Sequence, residues 1–237
     1  MRVVLLGPPG AGKGSLALLC GDRLGLTHLS TGEIFRQEMA RESLLGRRVR
    51  RYVTSGQLVP NALVVRVMAS RLKGPRRSPR TTEAPQGRRP MVRGSRGFVL
   101  DGFPRTAGQA AGLDRVLRTR RLPLDGAVYL TSPKALLVRR LSGRRVCPSC
   151  GANYHLRTMR PKRPGRCDRC GSALVTRKDD QLATIRKRLD VDERAAKPLL
   201  AYYRRRSVLY EVDGRGHIET VFRRAVTLFR HQGWLRR

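Results

Sequence analysis

Residues 7–15 read GPPGAGKGS and follow directly on the apolar run Val3-Val4-Leu5-Leu6. A buried strand that runs into so many glycines needs either a flexible turn or a backbone that comes very close to something. The spacing Gly7-x-x-x-x-Gly12-Lys13 with a nearby hydroxyl fits a phosphate loop, with Gly14 inserted before Ser15. The glycines let successive backbone N–H groups converge on an anion, and Lys13 adds a mobile positive charge. Residues 15–24 continue as an amphipathic helix with Leu16, Leu19 and Leu24 inward, and its N-terminus favours phosphate. Cys20 on that helix reads as a small core residue.

Two further clusters stand out. HLSTGEIFRQE at 28–38 offers Ser30-Thr31 as a cap for a helix that carries Arg36 one turn in. GFVLDGFPRTAGQA at 97–110 reads as a buried strand ending in Asp101, followed by Arg105 and Gln109 on a loop and first helical turn. A carboxylate at a strand end beside a phosphate loop suits magnesium, held through water.

The cysteines add a separate signal. Cys147-x₂-Cys150 and Cys167-x₂-Cys170 are sixteen residues apart, a spacing that fits a tetrahedral site of four thiolates. Gly151 and Gly171 follow each pair, where a knuckle turn favours a residue without Cβ. Two disulfides are the alternative, disfavoured in a cytoplasmic setting. Zinc is the expected metal, and iron fits the same ligands. Four thiolates leave no open position, so the metal is structural.

Charge bounds the partners. Lys+Arg number 51 against 17 Asp+Glu, a formal +34, and 44 of the cations are arginine. Such a surface binds polyanions nonspecifically. No window interleaves dense cations with aromatics as a base-stacking platform does, so no dedicated nucleic-acid partner is expected. No apolar run is long enough for a membrane span, and the start MRVVLLGPPG lacks a secretory pattern. The chain is therefore expected in the cytoplasm, without a membrane partner.

Coarsely, the pattern predicts strands 2–6, 27–30, 97–101, 125–131 and 216–220. It predicts helices 13–24, 31–42, 44–54, 61–73, 106–120, 133–142, 179–190, 192–210 and 221–231. Strands alternating with helices predict an α/β fold with a parallel sheet covered on both faces. Residues 74–96, rich in arginine and proline and without an aromatic, cannot bury enough apolar surface to order themselves and are expected to be a disordered insertion.

GPPGAGKGS, LSTGEIFR and LDGFPRTAGQA together resemble the adenylate kinases, and so do RRLSGRR at 139–145 and TRKDDQLATIRKRL at 176–189. The resemblance runs from residue 1 to about 230, broken by the insertion. Ser15, Glu33 and Asn61 stand where the family usually has threonine, aspartate and aspartate. The resemblance implies a P-loop NTPase-like fold with five parallel strands in the order 2-3-1-4-5. The core would comprise 1–30, 74–142 and 179–237, with a monophosphate-binding lobe at 31–73 and a zinc-bearing lid at 143–178. It implies reversible transfer from ATP to AMP giving two ADP, with magnesium, by a monomer.

Roles follow by the same resemblance. Lys13 and the backbone of Gly10, Ala11, Gly12, Gly14 and Ser15 hold the ATP phosphates. Arg140 lies over ATP's base and Arg144 reaches its phosphates, with Asn153, Tyr154 and Gly216 also on the ATP side. Arg36 and Arg105 grip the AMP phosphate, while Thr31 and Gln109 meet its adenine. Gln57, Leu58 and Val59 line that pocket, and Gly102, Phe103 and Pro104 complete the AMP side. Arg177 and Arg188 bridge the nucleotides, Asp101 positions magnesium, and Asp179 and Asp180 keep the lid arginines in register. Lys13, Arg36, Arg105, Arg144, Arg177 and Arg188 form the catalytic set. Two alternatives remain at this point: a kinase for UMP or CMP, or a noncatalytic basic zinc protein that binds RNA on the same fold.

Overall fold

In the computed structural model, which describes residues 1–72 and 97–235, strand alternation divides the core in two. On β1 (Arg2–Leu6), Val4 and Leu6 enter one apolar cluster, and Val3 and Leu5 the other. β1 is central in a five-stranded parallel sheet, flanked by β2 (Thr27–Ser30) and β3 (Phe98–Asp101) on one side. β4 (Gly126–Thr131) lies on its other side. An antiparallel pair, β5 (Arg144–Val146) and β6 (Asn153–His155), stands apart. β7 (Leu209–Asp213) completes the large sheet, whose order is β2-β3-β1-β4-β7. Counting only the strands of this sheet, that is the expected 2-3-1-4-5.

Helices cover both faces, as burial of both sheet surfaces requires. α1 (Lys13–Leu24) buries Leu16, Ala17 and Cys20 and ends at Gly25, whose φ of 66° serves a left-handed C-cap. α2 (Thr31–Ala40), α3 (Leu44–Thr54) and α4 (Asn61–Arg71) follow β2. Side-chain caps by Ser30 and Ser43 start α2 and α3. Next come α5 (Ala107–Thr119) and α6 (Lys134–Ser142), then α7 (Leu182–Arg204) and α8 (Ile218–His231). α1 and α8 pack on the Val3/Leu5 face, and α4 and α5 on the Val4/Leu6 face. Among the described residues no helix is long and apolar enough to cross a membrane. The expected insertion 74–96 lies outside the described residues.

Two expectations fail near the C-terminus. The helices 179–190 and 192–210 are one 23-residue helix, α7, preceded by a single 3₁₀ turn (Lys178–Asp180). Pro198 lies inside that helix without ending it. Ile185 and Leu189 near its start join the Val3/Leu5 cluster, while Leu199, Tyr202 and Tyr203 near its end join the other. Burial at both ends offsets the loss of one ladder hydrogen bond at the proline. The last strand is Leu209–Asp213 and not 216–220. Ser207 turns the chain with φ 55°, its N–H donating to Arg204 O and that of Val208 to Tyr203 O. That left-handed stop uses serine in place of the glycine or asparagine by which such stops are recognised.

Candidate active site

The C-terminal ends of β1, β2 and β3 and the loops after them form the floor of a cleft of about 1470 Å³. Gly7 has φ 133°, and a Cβ there would stand 2.7 Å from Leu130 O. A side chain is therefore excluded where the loop leaves the sheet. At Gly12, φ 99°, the N-cap of α1 carries no side-chain hydrogen bond. The first N–H groups of the helix stay available to an anion. Lys13 Nζ folds back onto the loop, donating to Gly7 O and, at 2.9 Å, to Pro8 O. Burial lowers its pKa to about 8 against the opposing pull of Asp192 and Asp101.

Strand ends set the next layer. Asp101 Oδ2 accepts from Ser30 Oγ at 3.1 Å and lies 3.9 Å from His28 Nε2. Burial alone would raise this carboxyl, but the His28 ring and the charges of Lys13 and Arg105 hold it at about 2. Asp101 is thus anionic beside the phosphate loop. Thr31 Oγ1 donates to Gly102 O at 2.8 Å, and Arg105 Nε donates to the same carbonyl at 3.0 Å. Gln109 Oε1 accepts from Arg105 N at 2.8 Å, and its Nε2 donates to Asn61 Oδ1 at 3.1 Å. Thr106 Oγ1 also donates to that oxygen, so Asn61 ties α4 to the Arg105 loop.

The opposite wall is ionic. Arg144 Nε and Nη2 grip both oxygens of Asp180, and Arg177 Nε and Nη2 grip both of Asp179, at 3.0 and 2.7 Å. Arg188 Nη1 bridges the two acids, 2.9 Å from Asp179 Oδ2 and 3.1 Å from Asp180 Oδ1. Forked guanidiniums suit such two-point pairing. Burial opposes ionisation of Asp179, but Arg177 and Arg188 keep its pKa well below the carboxylate range. Arg36 faces this cluster from α2. Burial first, then the charge of Arg177, lower its pKa to about 9. Among the described residues Arg36 makes no hydrogen bond or ion pair.

The cleft brings together most of the residues singled out by motif. It is lined by the loop from Gly10 to Ser15, and by Arg36, Asp101, Gly102 and Arg105. From the facing side come Arg140, Arg144, Asn153, Tyr154, Arg177, Arg188 and Gly216. Arg140 Nη2 donates to Gly216 O at 3.0 Å, linking α6 to the turn before α8. Other motif residues do not line it. Thr31, Phe103 and Gln109 are buried behind the wall, Pro104 borders a separate small cavity with Lys13 and Arg105, and Gln57, Leu58 and Val59 lie in the α3–α4 turn. Residues to which motif reading gave no role also line it, His28, Glu33 and Asp192 among them. His28 was accessible from the period of two, which puts it on the face of Ser30. Asp192 lies four residues after Arg188, one helical turn along α7. Burial raises the Asp192 carboxyl despite Lys13, Arg105 and Arg188.

On the facing side of the cleft, which Cys147 and Cys150 help to line, the Sγ atoms of Cys147, Cys150, Cys167 and Cys170 lie within 4.8 Å of one another. The pairs Cys147–Cys170 and Cys150–Cys167 are 3.4 and 3.5 Å apart. Disulfides need about 2 Å, and all four are free thiols. Tetrahedral thiolates around zinc sit about 3.8 Å apart by the usual Zn–S length. The two knuckles match: Gly151 N donates to Cys147 O and Gly171 N to Cys167 O, with φ of 73° and 72°. The four cysteines are positioned to bind a metal ion.

A family model described as adenylate kinase matches residues 5–81 and 89–208. The chain is 44% identical over 221 residues to a protein named adenylate kinase from Moorella thermoacetica, covering 93% of this chain and 94% of that one. A protein of the same name from Clostridium botulinum is 41% identical over 222 residues, covering 94% and 95%. Another, from Clostridium kluyveri, is 39% identical over 225 residues, covering 95% and 96%.

Proposed function

The chain belongs to the adenylate kinase family, and from that premise we propose how its cleft carries out reversible phosphoryl transfer from ATP to AMP, giving two ADP. One observation carries the reading: Lys13, Arg36, Arg105, Arg144, Arg177 and Arg188 line a single cleft floored by a phosphate loop. The AMP phosphate is itself a nucleophile near neutrality, so no protein base is required. The task is to align two anions in line and to spread the charge of the transferring group.

Residues 31–73 take AMP, and residues 143–178 act as a lid over ATP. On ATP phosphates Lys13 leaves the Gly7 and Pro8 carbonyls, and the N–H groups from Gly10 to Ser15 complete the nest. Arg140, Asn153, Tyr154 and Gly216 border the ATP base. Arg36 and Arg105 hold the AMP phosphate. Arg144, Arg177 and Arg188 bridge toward the transferring group, oriented by Asp179 and Asp180. Thr31 and Gln109 act on the adenine side partly at second hand: Thr31 fixes Gly102 and Gln109 fixes the Arg105 loop. Magnesium bound with ATP neutralises phosphate charge, and Asp101, ionised at the strand end, would hold it through water. Zinc is the metal assigned to the thiolates, because a lid of this size cannot bury much core without such a staple.

The test is turnover with ATP across AMP, CMP, UMP and GMP, with metal content measured on the same sample. AMP is expected to be the preferred acceptor, with one zinc per chain. Faster turnover of UMP or CMP overturns the assignment of substrate, and iron in place of zinc that of metal.

A further inference from the structure

The ribbon around the cysteines carries charge that the cleft does not use. Between Leu156 and Cys170 stand Arg157, Arg160, Lys162, Arg163, Arg166 and Arg169, against the single acid Asp168. All six cations are exposed. Within residues 143–178 the ion pairs of the described residues involve Arg144 and Arg177 and none of these six. Asp168 Oδ1 accepts from the backbone N of Lys162 at 2.8 Å, so the one nearby acid serves the main chain. Arg157 and Arg169 line the cleft, but Arg160, Lys162, Arg163 and Arg166 do not. Nucleotide binding therefore leaves those four without a task.

They are also held on a stiff frame. Bridges join His155 to Met159 and Arg166 to Ala173, and Cys167 N donates to Ser172 O at 2.9 Å. Arg160 Nε donates to Leu156 O at 3.0 Å, which fixes its stem. Cations ordered in advance lose less entropy on meeting a ligand. The chemistry of the surface narrows the occupant. Tyr154 is 7% exposed and Leu156 is the one large exposed hydrophobic of the ribbon before Val175. Bases of a single strand would find no aromatic to stack on. A protein partner would find no aromatic anchor. What remains is a run of exposed donors, close together in sequence, for phosphate oxygens.

We propose that Arg160, Lys162, Arg163 and Arg166 dock the phosphate backbone of a duplex nucleic acid, without base readout. Such contacts position and attract but carry no sequence information. The site gives part of the +34 charge a location, where the sequence alone offered only diffuse attraction. It is independent of the assignments in the cleft.

The experiment is fluorescence anisotropy of labelled mixed-sequence duplexes of about 20 base pairs, one DNA and one RNA, bound by the full chain over a range of NaCl. Charge on a phosphate-binding protein gives a log K versus log[salt] slope of about −0.9 per contact on DNA. The variant R160Q/K162Q/R163Q/R166Q is expected to bind at least about tenfold more weakly, with a slope shallower by about 3 to 4. R41Q/R47Q/R48Q/R51Q removes the same charge from exposed positions just after α2 and on α3. It is expected to stay within about twofold of the parent. Equal losses in the two variants, or no loss in the first, overturn the proposal. The tighter of the two duplexes identifies the source of the phosphates. Poly-aspartate displacing the protein better than unlabelled duplex also overturns it, in favour of an acidic protein. Metal content and ADP formation from AMP check that the first variant is folded. If it loses metal, R160Q and R163Q singly decide, each with an expected slope change of about 1.

Discussion

Arg144, Arg177 and Arg188 on one wall of the cleft, and Lys13, Arg36 and Arg105 on the other, carry the same charge but are held differently. The first three share two buried carboxylates, Asp179 and Asp180, which are 8% and 4% exposed. The second three make no ion pair among the described residues: Lys13 and Arg105 bond to carbonyls and Arg36 to nothing. Asp101 and Asp192 act on Lys13 and on Arg105 through space only. The difference separates two tasks. A paired guanidinium keeps its orientation before any ligand arrives. An unpaired one repels its neighbours until an anion takes the place of the missing carboxylate, so its charge is reserved for substrate. On the proposed function, bound phosphates would then draw both walls together and exclude water from the transfer.

The hardest blow to this contrast falls on the unpaired side. Arg105→Lys keeps the charge and removes the planar, two-point grip. Turnover of ATP and AMP in a coupled assay is expected to fall about 100- to 1000-fold, the usual effect of losing one transition-state donor. The unfolding midpoint is expected to stay where it was, because lysine keeps the charge that acts on Asp101 and Asp192 and no ion pair is broken. Near-normal turnover removes Arg105 from the site.

The paired side should answer in stability. Asp180→Asn leaves Arg144 and Arg188 sharing one neutral oxygen in a place where the Asp180 side chain is 0% exposed. Urea unfolding is expected to show a loss of about 3 kcal/mol, the low end for breaking a buried pair. Arg36→Gln is the control from the other wall. It removes a half-buried cation that faces Arg177 and Arg144, and its midpoint is expected to hold or rise. If Arg36→Gln destabilises as much as Asp180→Asn, the two walls are not held differently.

How much of this was legible depended on the range over which each signal acts. The phosphate loop and the two cysteine knuckles are local: glycine at φ 99° or 73° does one job that few residues share, so spacing alone locates it. The resemblance had Asp179 and Asp180 holding lid arginines; Asp179 does pair with its neighbour Arg177, but Asp180 pairs with Arg144 across 36 residues, which adjacency does not show. What escaped was the long-range part. Splitting α7 near residue 191 hid the helical turn that places Asp192 beneath Arg188, and with it a carboxylate on the cleft wall. Ser207, turning with φ 55°, gave no glycine by which to end α7, so β7 was sought seven residues too late. Burial of the two ends of α7 in two different clusters joins it into one helix, and no local pattern carries that.

The smallest expected effect concerns the titration of Lys13. Burial sets its pKa at about 8 in the free protein. Above that pH the ammonium loses its proton, and with it the attraction for phosphate. Because kcat/KM reports the free enzyme, it is expected to fall about tenfold per unit above pH 8. Bound phosphates favour the charged form and raise the pKa, so kcat should stay level to higher pH. The break lies below the lowered values of Arg36, about 9, and Arg188, about 10, and so belongs to Lys13. Asp192 tests the source: its carboxylate raises the Lys13 pKa, so Asp192→Asn is expected to move the break in kcat/KM below 8 while that in kcat shifts less. A break that stays put in Asp192→Asn would mean that the lysine is held by its two carbonyls alone. The unpaired wall would then depend on backbone just as the paired wall depends on carboxylates.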